Sequence, residues 1–503
     1  MAKKLKKVLI ANRGEIAVRI IRACQEMDIL PVAVYSDVDK KALHVQLADE
    51  AYYLGGAKPS ESYLNIDKLI HIAQKCKADA LHPGYGFLAE NSKLVQRCEE
   101  KGIIFIGPPS EAMKTMGIKT TSRSQMAQAG VPIIPGTVKP IKTEKELKRE
   151  VQKIGFPLIL KAAAGGGGKG LRLVFKEEDL LSSFRLAKSE AQSSFDDSSV
   201  YIEKYIQEPH HIEVQVLCDQ HGQAIHLGER ECSIQRRYQK VLEETPSPFL
   251  NEEIRQKMGR VAVKAAQAVH YHNAGTVEFV VDGKKNFYFL EMNTRLQVEH
   301  PITEMITGVD LVKAQLEVAS GLPLRLAQKD IFRRGHSMQC RIYAEDPENN
   351  FMPSPGKIEH FRSPGGGLGV RDDSGIYEGF RVPLEYDPLL SKLITWGNTR
   401  KEAIHRMLRA LSEYQIYGIK TTIPFFKRIL LHPQFYAGKY NTHFIANLEK
   451  GKQREEPEEQ FIALVAAGVK SHSESKRGLV ARKRKKSSNW KFQGKIQNFS
   501  NNF

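Results

Sequence analysis

The sequence holds no apolar run near the ~20 residues that a membrane-spanning helix needs, so that class of protein is not expected. The apolar stretch after its basic N-terminus is only Val8-Leu9-Ile10-Ala11, with polar Asn12 and Arg13 next, too short for a secretory leader. The six cysteines (24, 76, 98, 218, 232 and 340) form no CxxC pair and no Cys/His metal spacing. That scatter predicts reduced thiols, a cytoplasmic location and no structural zinc. No GxGxxG follows the first apolar run, so a dinucleotide fold is not indicated, and no GxxxxGK[ST] leads into a helix. The 38 Gly and 23 Pro show no collagen-like period. Acidic residues are also scarce: 58 Asp+Glu face 75 Lys+Arg, a formal net charge of +17. Alone, that balance suggests a polyanion partner such as nucleic acid, a membrane surface or a phosphorylated ligand.

The excess is uneven. Residues 451–503 hold 12 basic against 5 acidic residues, with Arg482-Lys483-Arg484-Lys485-Lys486 at the centre, and Lys3, Lys4, Lys6 and Lys7 crowd the start. The 503 residues suggest about three domains. Residues 7–110 alternate short apolar runs with helical patterns. Val8 to Ala11 and Val32 to Tyr35 read as strands, with Ala78 to Leu81 and Ile103 to Ile106 as further candidates. Between the first two, Ile16, Ile20, Ile21 and Cys24 recur at helical spacing. This alternation predicts a parallel sheet in an α/β domain. Further on, Phe156 to Leu160 reads as a strand running into a Gly-rich turn. Ile212 to Val216 alternates at period two, as a half-buried strand should. Thr276 to Val281 and Asn286 to Leu290 flank Asp282-Gly283, a hairpin signal. From about 316 to 450 lies a mixed segment with Gly/Pro turns, and the polar tail after 466 reads as weakly ordered.

Two stretches carry chemistry. In Lys161-Ala162-Ala163-Ala164-Gly165-Gly166-Gly167-Gly168-Lys169-Gly170, four glycines leave backbone N–H groups free to wrap an anion beside two lysines. A flexible linker is the bland reading, but a linker rarely joins two apolar β runs. In Phe287 to His300, the residues Glu291, Asn293, Arg295, Gln297 and Glu299 are spaced by two. If the extended conformation continues, all five project from one face. Glu278 sits on the neighbouring candidate strand. Glu278, Glu291 and Asn293 are hard oxygen ligands suited to Mg²⁺. A solvated strand face with incidental ion pairs is the alternative.

Together these segments resemble the ATP-grasp superfamily, and within it the biotin carboxylase family, over about residues 7–447. The blocks that carry the resemblance are Ile10 to Ala17 (IANRGEIA), His82 to Leu88 (HPGYGFL), the Gly-rich loop, Cys232 to Arg237 (CSIQRR), Glu291 to Arg295 (EMNTR), Glu299 to Glu304 (EHPITE) and Arg341 to Pro347 (RIYAEDP). The resemblance implies an α/β chain of three domains. These are an N-terminal parallel-sheet pre-ATP-grasp domain at 1–117, an ATP-grasp domain at 118–315 with a mobile lid at about 135–205, and an α+β C-terminal domain at 316–450. A basic tail, 451–503, follows. It further implies a ligase that uses ATP, Mg²⁺ (or Mn²⁺) and bicarbonate to carboxylate biotin through carboxyphosphate. Lys119 and Lys161 match phosphate-contacting lysines, and Gly167 and Gly168 match loop glycines over the phosphates. Glu203, Lys204, Tyr205 and Ile206 match the strand against adenine, and His211 and Gln235 fall in the cofactor-binding set. Glu278, Glu291 and Asn293 match metal ligands. Lys240, Arg295, Gln297 and Val298 match the bicarbonate pocket, Glu299 its base, and Arg341 the arginine that faces bicarbonate and the biotin ureido oxygen.

Tyr238 departs from the family, which often has His there. Ala112-Met113-Lys114-Thr115 nearly matches the tetrapeptide that carries covalent biotin, but it sits in a predicted helix, whereas a biotinyl module is all-β. Biotin is therefore expected on a separate carrier protein. Carboxyltransferase subunits and a homodimer are the other expected partners, with no nucleic acid and no membrane. Acetyl-CoA carboxylase, and with it fatty acid synthesis, is the leading setting; pyruvate, propionyl-CoA and 2-oxoglutarate systems use the same half-reaction. A different ATP-grasp carboxylate ligase and an RNA-binding or assembly protein are the competing classes. Cys232 reads as a packing wall rather than a nucleophile, His82 and His336 as turn or packing histidines, and Trp490 as a docking contact or unordered.

Overall fold

Short apolar runs bounded by turns build the first layer. The computed structural model describes residues 4–137, 140–141, 143–162, 171–195 and 199–452. Strands β1 Lys7–Ile10, β2 Leu30–Ser36, β3 Glu50–Gly55, β4 Ala80–His82 and β5 Ile104–Phe105 form a parallel sheet in the order β3-β2-β1-β4-β5. The helix Gly14–Gln25 follows β1 and buries Ile16, Ile20, Ile21 and Cys24, the predicted stripe. Those side chains pack on Val8 and Ile10 of β1 and on Leu217, Ile225, Leu227, Leu296 and Leu316 from later in the chain. One helix thus ties two sheets into one core, and each fully buried Ile or Leu adds about 1.5–3 kcal/mol of apolar transfer free energy.

The segment 158–204 makes its own small layer. Strands β6 Leu158–Ala162, β7 Leu171–Val174 and β8 Val200–Lys204 pair in the order β7-β6-β8, all antiparallel. The helices Glu144–Ile154 and Leu180–Phe195 cover it, with Leu147, Leu158, Leu160, Phe184 and Val200 inside. The first strand begins just after Pro157, which has no N–H to give a ladder. Lys161 pairs with Leu171, so 163–170 join adjacent strands. Those eight residues, Gly167 and Gly168 among them, lie outside the described residues, as does the tail beyond 452.

The third layer positions the chemistry. Strands β9 His210–Cys218, β10 Ala224–Arg236, β11 Gln239–Thr245, β12 Asn273–Val281, β13 Phe287–Asn293 and β14 His336–Tyr343 join Leu389–Gly397 and Val370–Ser374 in one antiparallel sheet. Its order is β13-β12-β9-β10-β11-β14, then Leu389–Gly397, then Val370–Ser374, continuous across residue 316. The predicted hairpin forms at Asp282, whose Oδ1 accepts from Lys284 N and Asn286 N. One expectation fails here. The alternation of Ile212 to Val216 predicts a half-buried strand, but all five residues are buried. The strand is central: Ile212, Val214 and Val216 enter the core, while Glu213 and Gln215 face an interior charge network.

Candidate active site

Strict alternation along β13 poses a conflict. Counting by twos from Phe287 and Phe289 puts Glu291 and Asn293 on the core face. The structure resolves it with a β-bulge. Phe279 pairs with Phe289 and Glu278 with Glu291, so Leu290 is an extra residue opposite no partner. The phase shifts by one: Phe287, Phe289 and Met292 enter the core, and Glu291 and Asn293 turn to the other face. The strand ends at Asn293, so Arg295, Gln297 and Glu299 do not continue an extended face as expected. They reach the same place through a turn, and Glu299 precedes the helix His300–Thr307, which carries Pro301 in its first turn.

Register then stacks like charges. Glu278 is the partner of Glu291 on one side and of Glu213 on the other, a row of three carboxylates across β13, β12 and β9. Such a row is unfavourable without cations between its members. Lys240 on β11 supplies one: its Nζ donates to Glu213 Oε2 (2.5 Å), Glu278 Oε1 (2.7 Å) and Glu299 Oε1 (2.8 Å). Arg341 on β14 donates from Nη2 to Glu299 Oε2 (2.9 Å) and from Nε to Glu243 Oε1 (2.6 Å). Arg230 on β10 donates from Nε to Glu213 Oε1 at 2.5 Å. The network thus spans the neighbouring strands β12, β9, β10, β11 and β14.

Its electrostatics follow from burial against pairing. Burial alone would lower Lys240, but Glu213, Glu278 and Glu299 hold it well above the usual lysine range. Burial would raise Glu299; Lys240, Arg341 and Arg230 outweigh it and hold the carboxyl well below its ordinary value. Glu278 is held low against burial by Lys240 and His211, whose Nε2 lies 2.8 Å from Glu278 Oε2. Glu243 goes the other way, pushed up to about 7 by burial despite Arg341. Burial also raises Glu213, against Arg230 and Lys240.

Around this floor runs a cleft of about 730 Å³. Lys240, His211, Gln235, Glu278, Glu291, Asn293, Arg295, Gln297, Val298 and Arg341 all line it. Arg295 donates to Gln297 Oε1 (2.8 Å) and Asn293 Oδ1 (3.1 Å). Gln297 and Asn293 in turn donate to Glu278 Oε1 at 3.1 and 2.7 Å. Glu278, Glu291 and Asn293 carry the oxygens a hard divalent cation takes: Glu278 and Glu291 are cross-strand partners, and Asn293 Nδ2 donates to Glu278 Oε1. Lys161, Glu203, Lys204, Tyr205 and Ile206 form a separate group outside the cleft lining. There Glu203 takes Lys161 and Arg123, and Lys204 Nζ donates to Phe156 O at 2.6 Å. Lys119 opens the helix Lys119–Gln128. Tyr238 sits at the tip of the β10–β11 hairpin, 91% exposed with φ +65°, at the cleft wall.

Several site residues escape sequence reasoning. Glu213 reads as the solvent-facing position of an alternating strand and Glu243 carries no sequence signal, and only the sheet order shows what they meet. Glu15 and Tyr85 also line the cleft. Glu15 Oε2 lies 3.0 Å from the ammonium of fully buried Lys392, with no hydrogen bond to either group among the described residues. Both fall in quoted sequence blocks or beside them, yet no spacing marks them. Cys232 is a buried wall: its Sγ is 4.0 Å from Glu299 Oε1, and burial and Glu213 push the thiol well above its ordinary value. All six cysteines are free and buried. Ala112 to Thr115 lies in the helix Ser110–Gly117, with Lys114 paired to Glu111 at 2.7 Å. His82 shapes a turn by accepting from Gly84 N, whereas His336 does more than pack, since its Nε2 meets buried Glu244 Oε2 at 2.6 Å. No helix of the described residues is long and apolar enough to cross a membrane.

Comparison with known proteins covers nearly all of this architecture. Residues 4–113 match the family model described as biotin carboxylase, N-terminal domain, and residues 339–447 the biotin carboxylase C-terminal domain. Residues 119–327 match the carbamoyl-phosphate synthase L chain, ATP binding domain. A pyruvate carboxylase subunit of Methanothermobacter thermautotrophicus is 52% identical over 490 residues, covering 94% of this chain and 99% of that protein. Biotin carboxylase 1 of Bacillus subtilis is 54% identical over 442 residues, covering 88% and 98%. Among solved structures, the biotin carboxylase domain dimer of Hydrogenobacter thermophilus 2-oxoglutarate carboxylase, in complex with MgADP, ADP and bicarbonate, superposes with a TM-score of 0.81 at 48% identity. It covers 88% of this chain and 98% of that one.

Proposed function

From the premise that the chain belongs to the biotin carboxylase family, we propose how its cleft works. The protein is an ATP-dependent ligase. It carboxylates biotin with bicarbonate and yields ADP, phosphate and carboxybiotin. The observation that carries the reading of the site is the trio on the floor, Lys240, Glu299 and Arg341, joined at 2.8 and 2.9 Å.

Bicarbonate is a weak nucleophile toward phosphorus, and Glu299 removes its proton as it attacks. Arg295 offers a planar two-pronged donor to an oxyanion, which Lys could not reproduce, and Lys240 and Val298 complete that pocket. Without bicarbonate, Lys240 and Arg341 are spent on Glu299. An anion that draws their hydrogen bonds would release Glu299 toward the ordinary carboxylate range and make it a better base. Glu278, Glu291 and Asn293 would hold Mg²⁺, which when bound offsets charge on the transferring phosphoryl group. Lys119, Lys161, Gly167, Gly168, Glu203, Lys204, Tyr205, Ile206, His211 and Gln235 take the nucleotide in this reading. After carboxyphosphate breaks to CO₂ and phosphate, phosphate takes the N1′ proton of biotin, Arg341 stabilises the resulting enolate of the ureido ring, and N1′ attacks CO₂ to give carboxybiotin. Enclosure keeps water from the intermediate.

The test is ATP turnover as a function of bicarbonate, with and without free biotin. Turnover that depends on bicarbonate and rises with biotin is expected; turnover indifferent to both would overturn the reading. The carrier protein, the carboxyltransferase and a homodimer belong to the same proposal. For the final acceptor we favour pyruvate over acetyl-CoA. The relative that matches this chain almost end to end both ways is named as part of a pyruvate carboxylase. Reconstitution with the carrier and transferase encoded beside this gene, offered each acceptor in turn, decides between them.

A further inference from the structure

The segment His82 to Leu88 begins at the last residue of β4. The structure gives the turn it opens a mechanical role through the residue at its end, Glu90. The turn leaves β4 and is fixed on both sides. Asn12 Nδ2 donates to Pro83 O (2.8 Å) and Tyr85 O (2.7 Å). Gly84, at φ +62°, makes room for it, since a Cβ there would stand 2.9 Å from Asn12 Nδ2. Ala89 N donates to Gly86 O, and Asn91 N to Leu88 O. Asn91 then caps the helix Ser92–Glu100, accepting from Lys93 N and Leu94 N. Glu90 has little backbone freedom left.

Its carboxylate reaches across 205 positions of sequence to two consecutive residues. Oε2 accepts from Arg295 Nε at 3.0 Å, and Oε1 from Thr294 N at 3.0 Å. The second contact explains the first. β13 ends at Asn293, so the Thr294 N–H has lost its ladder partner and needs an acceptor. Glu90 supplies that acceptor and, with its other oxygen, the charge behind the Arg295 guanidinium. The two terminal nitrogens of Arg295 are left to neutral Gln297 and Asn293. The only carboxylate bonded to Arg295 among the described residues therefore sits at Nε, and the outer edge of the fork points to the cleft.

We propose that Glu90 is a positioning residue that aims Arg295, fixing both its backbone and the edge of its guanidinium that meets the oxyanion. The proposal rests on the reading of Arg295 as the bicarbonate clamp. An ordinary rim ion pair is the alternative, and it would affect stability slightly and substrate binding not at all.

The experiment measures KM for bicarbonate and for ATP in Glu90→Gln, Arg295→Lys and the double variant, with thermal midpoints for each. Glu90→Gln should raise the bicarbonate KM about five- to tenfold, as loss of a partly exposed charged hydrogen bond would. The ATP KM should stay within about twofold and the midpoint should not move. In the Arg295→Lys background the effect of Glu90→Gln should largely vanish, the non-additivity of a pair that acts as a unit. An unchanged bicarbonate KM in Glu90→Gln, beside a raised one in Arg295→Lys, overturns the positioning role alone. So does an equal rise in both KM values with a lowered midpoint. No change in Arg295→Lys overturns the clamp beneath it.

Discussion

The cleft has two buried charged walls, and they satisfy their charges in different ways. On the floor, Lys240 meets three carboxylates and Arg341 two, all in hydrogen-bonding geometry. Elsewhere, Glu15 and Lys392 face each other at 3.0 Å with no hydrogen bond to either among the described residues. Glu299 and Glu278 are held far below the usual range by their cations, while burial pushes Glu15 up to about 7 because Lys392 only partly offsets it. Glu213 and Glu243 on the floor are raised by burial as well, despite their cationic partners, so the contrast is between Glu299 and Glu278 on one side and Glu15 on the other.

Substitution at the floor's acidic end should have the largest effect. Glu299→Gln should lower kcat about 10²–10⁴-fold, the usual span for losing a general base. Nucleotide affinity, read by titration calorimetry, should stay within about twofold, and an equal loss of ATP binding would refute the role. Next come the two lysines. Lys240→Met takes the shared cation from three buried carboxylates and should cost about 3–5 kcal/mol in denaturant unfolding. Lys392→Met should cost well under half of that, because Glu15 can keep its proton. Equal losses would erase the distinction between the walls. The smallest effect is a pH dependence. A carboxyl raised from about 4.5 to about 7 on folding binds its proton more tightly in the native state. Its stabilising contribution is full below about pH 4.5 and fades as pH rises through 7. Glu15→Gln removes that dependence, so the variant's thermal midpoint should gain on the wild type between pH 5 and 8. A gap that stays constant across that range would show Glu15 to be as well paired as the floor.

Which parts were legible follows from how far each depends on neighbours in sequence. β1, β2 and the helix between them are local patterns, apolar runs and a 3.6-residue stripe, and they emerge near the predicted places. The 278–299 region stands out in the sequence because polar residue types gather within one stretch, and the structure brings Glu278, Glu291, Asn293, Arg295 and Gln297 to one cleft. Glu243 and Glu244 show the limit. They are consecutive on β11 and point to opposite faces, one to Arg341 and one to Arg400 and His336. Nothing in the run Val241 to Thr245 says that either is buried, because their partners arrive from a strand and a helix about a hundred or more residues away. Arg295 was found by resemblance and Glu90 was not, since the contact between them exists only once two sheets have packed.

The bulge at Leu290 has a consequence for how this sequence can change over time. It separates the strand into two independently phased halves, an aromatic one that fills the core and a polar one that faces the cleft. Replacement of Leu290 by another side chain leaves that phasing untouched, so drift at this position is cheap. Removal of Leu290 would leave plain alternation with the same faces, Phe289 and Met292 inward and Glu291 and Asn293 toward the cleft, whereas a regular ladder that paired Leu290 would swing both site residues into the core. Lineages of this enzyme should therefore vary in letter at the bulge and lose it before they lose the two phases it separates.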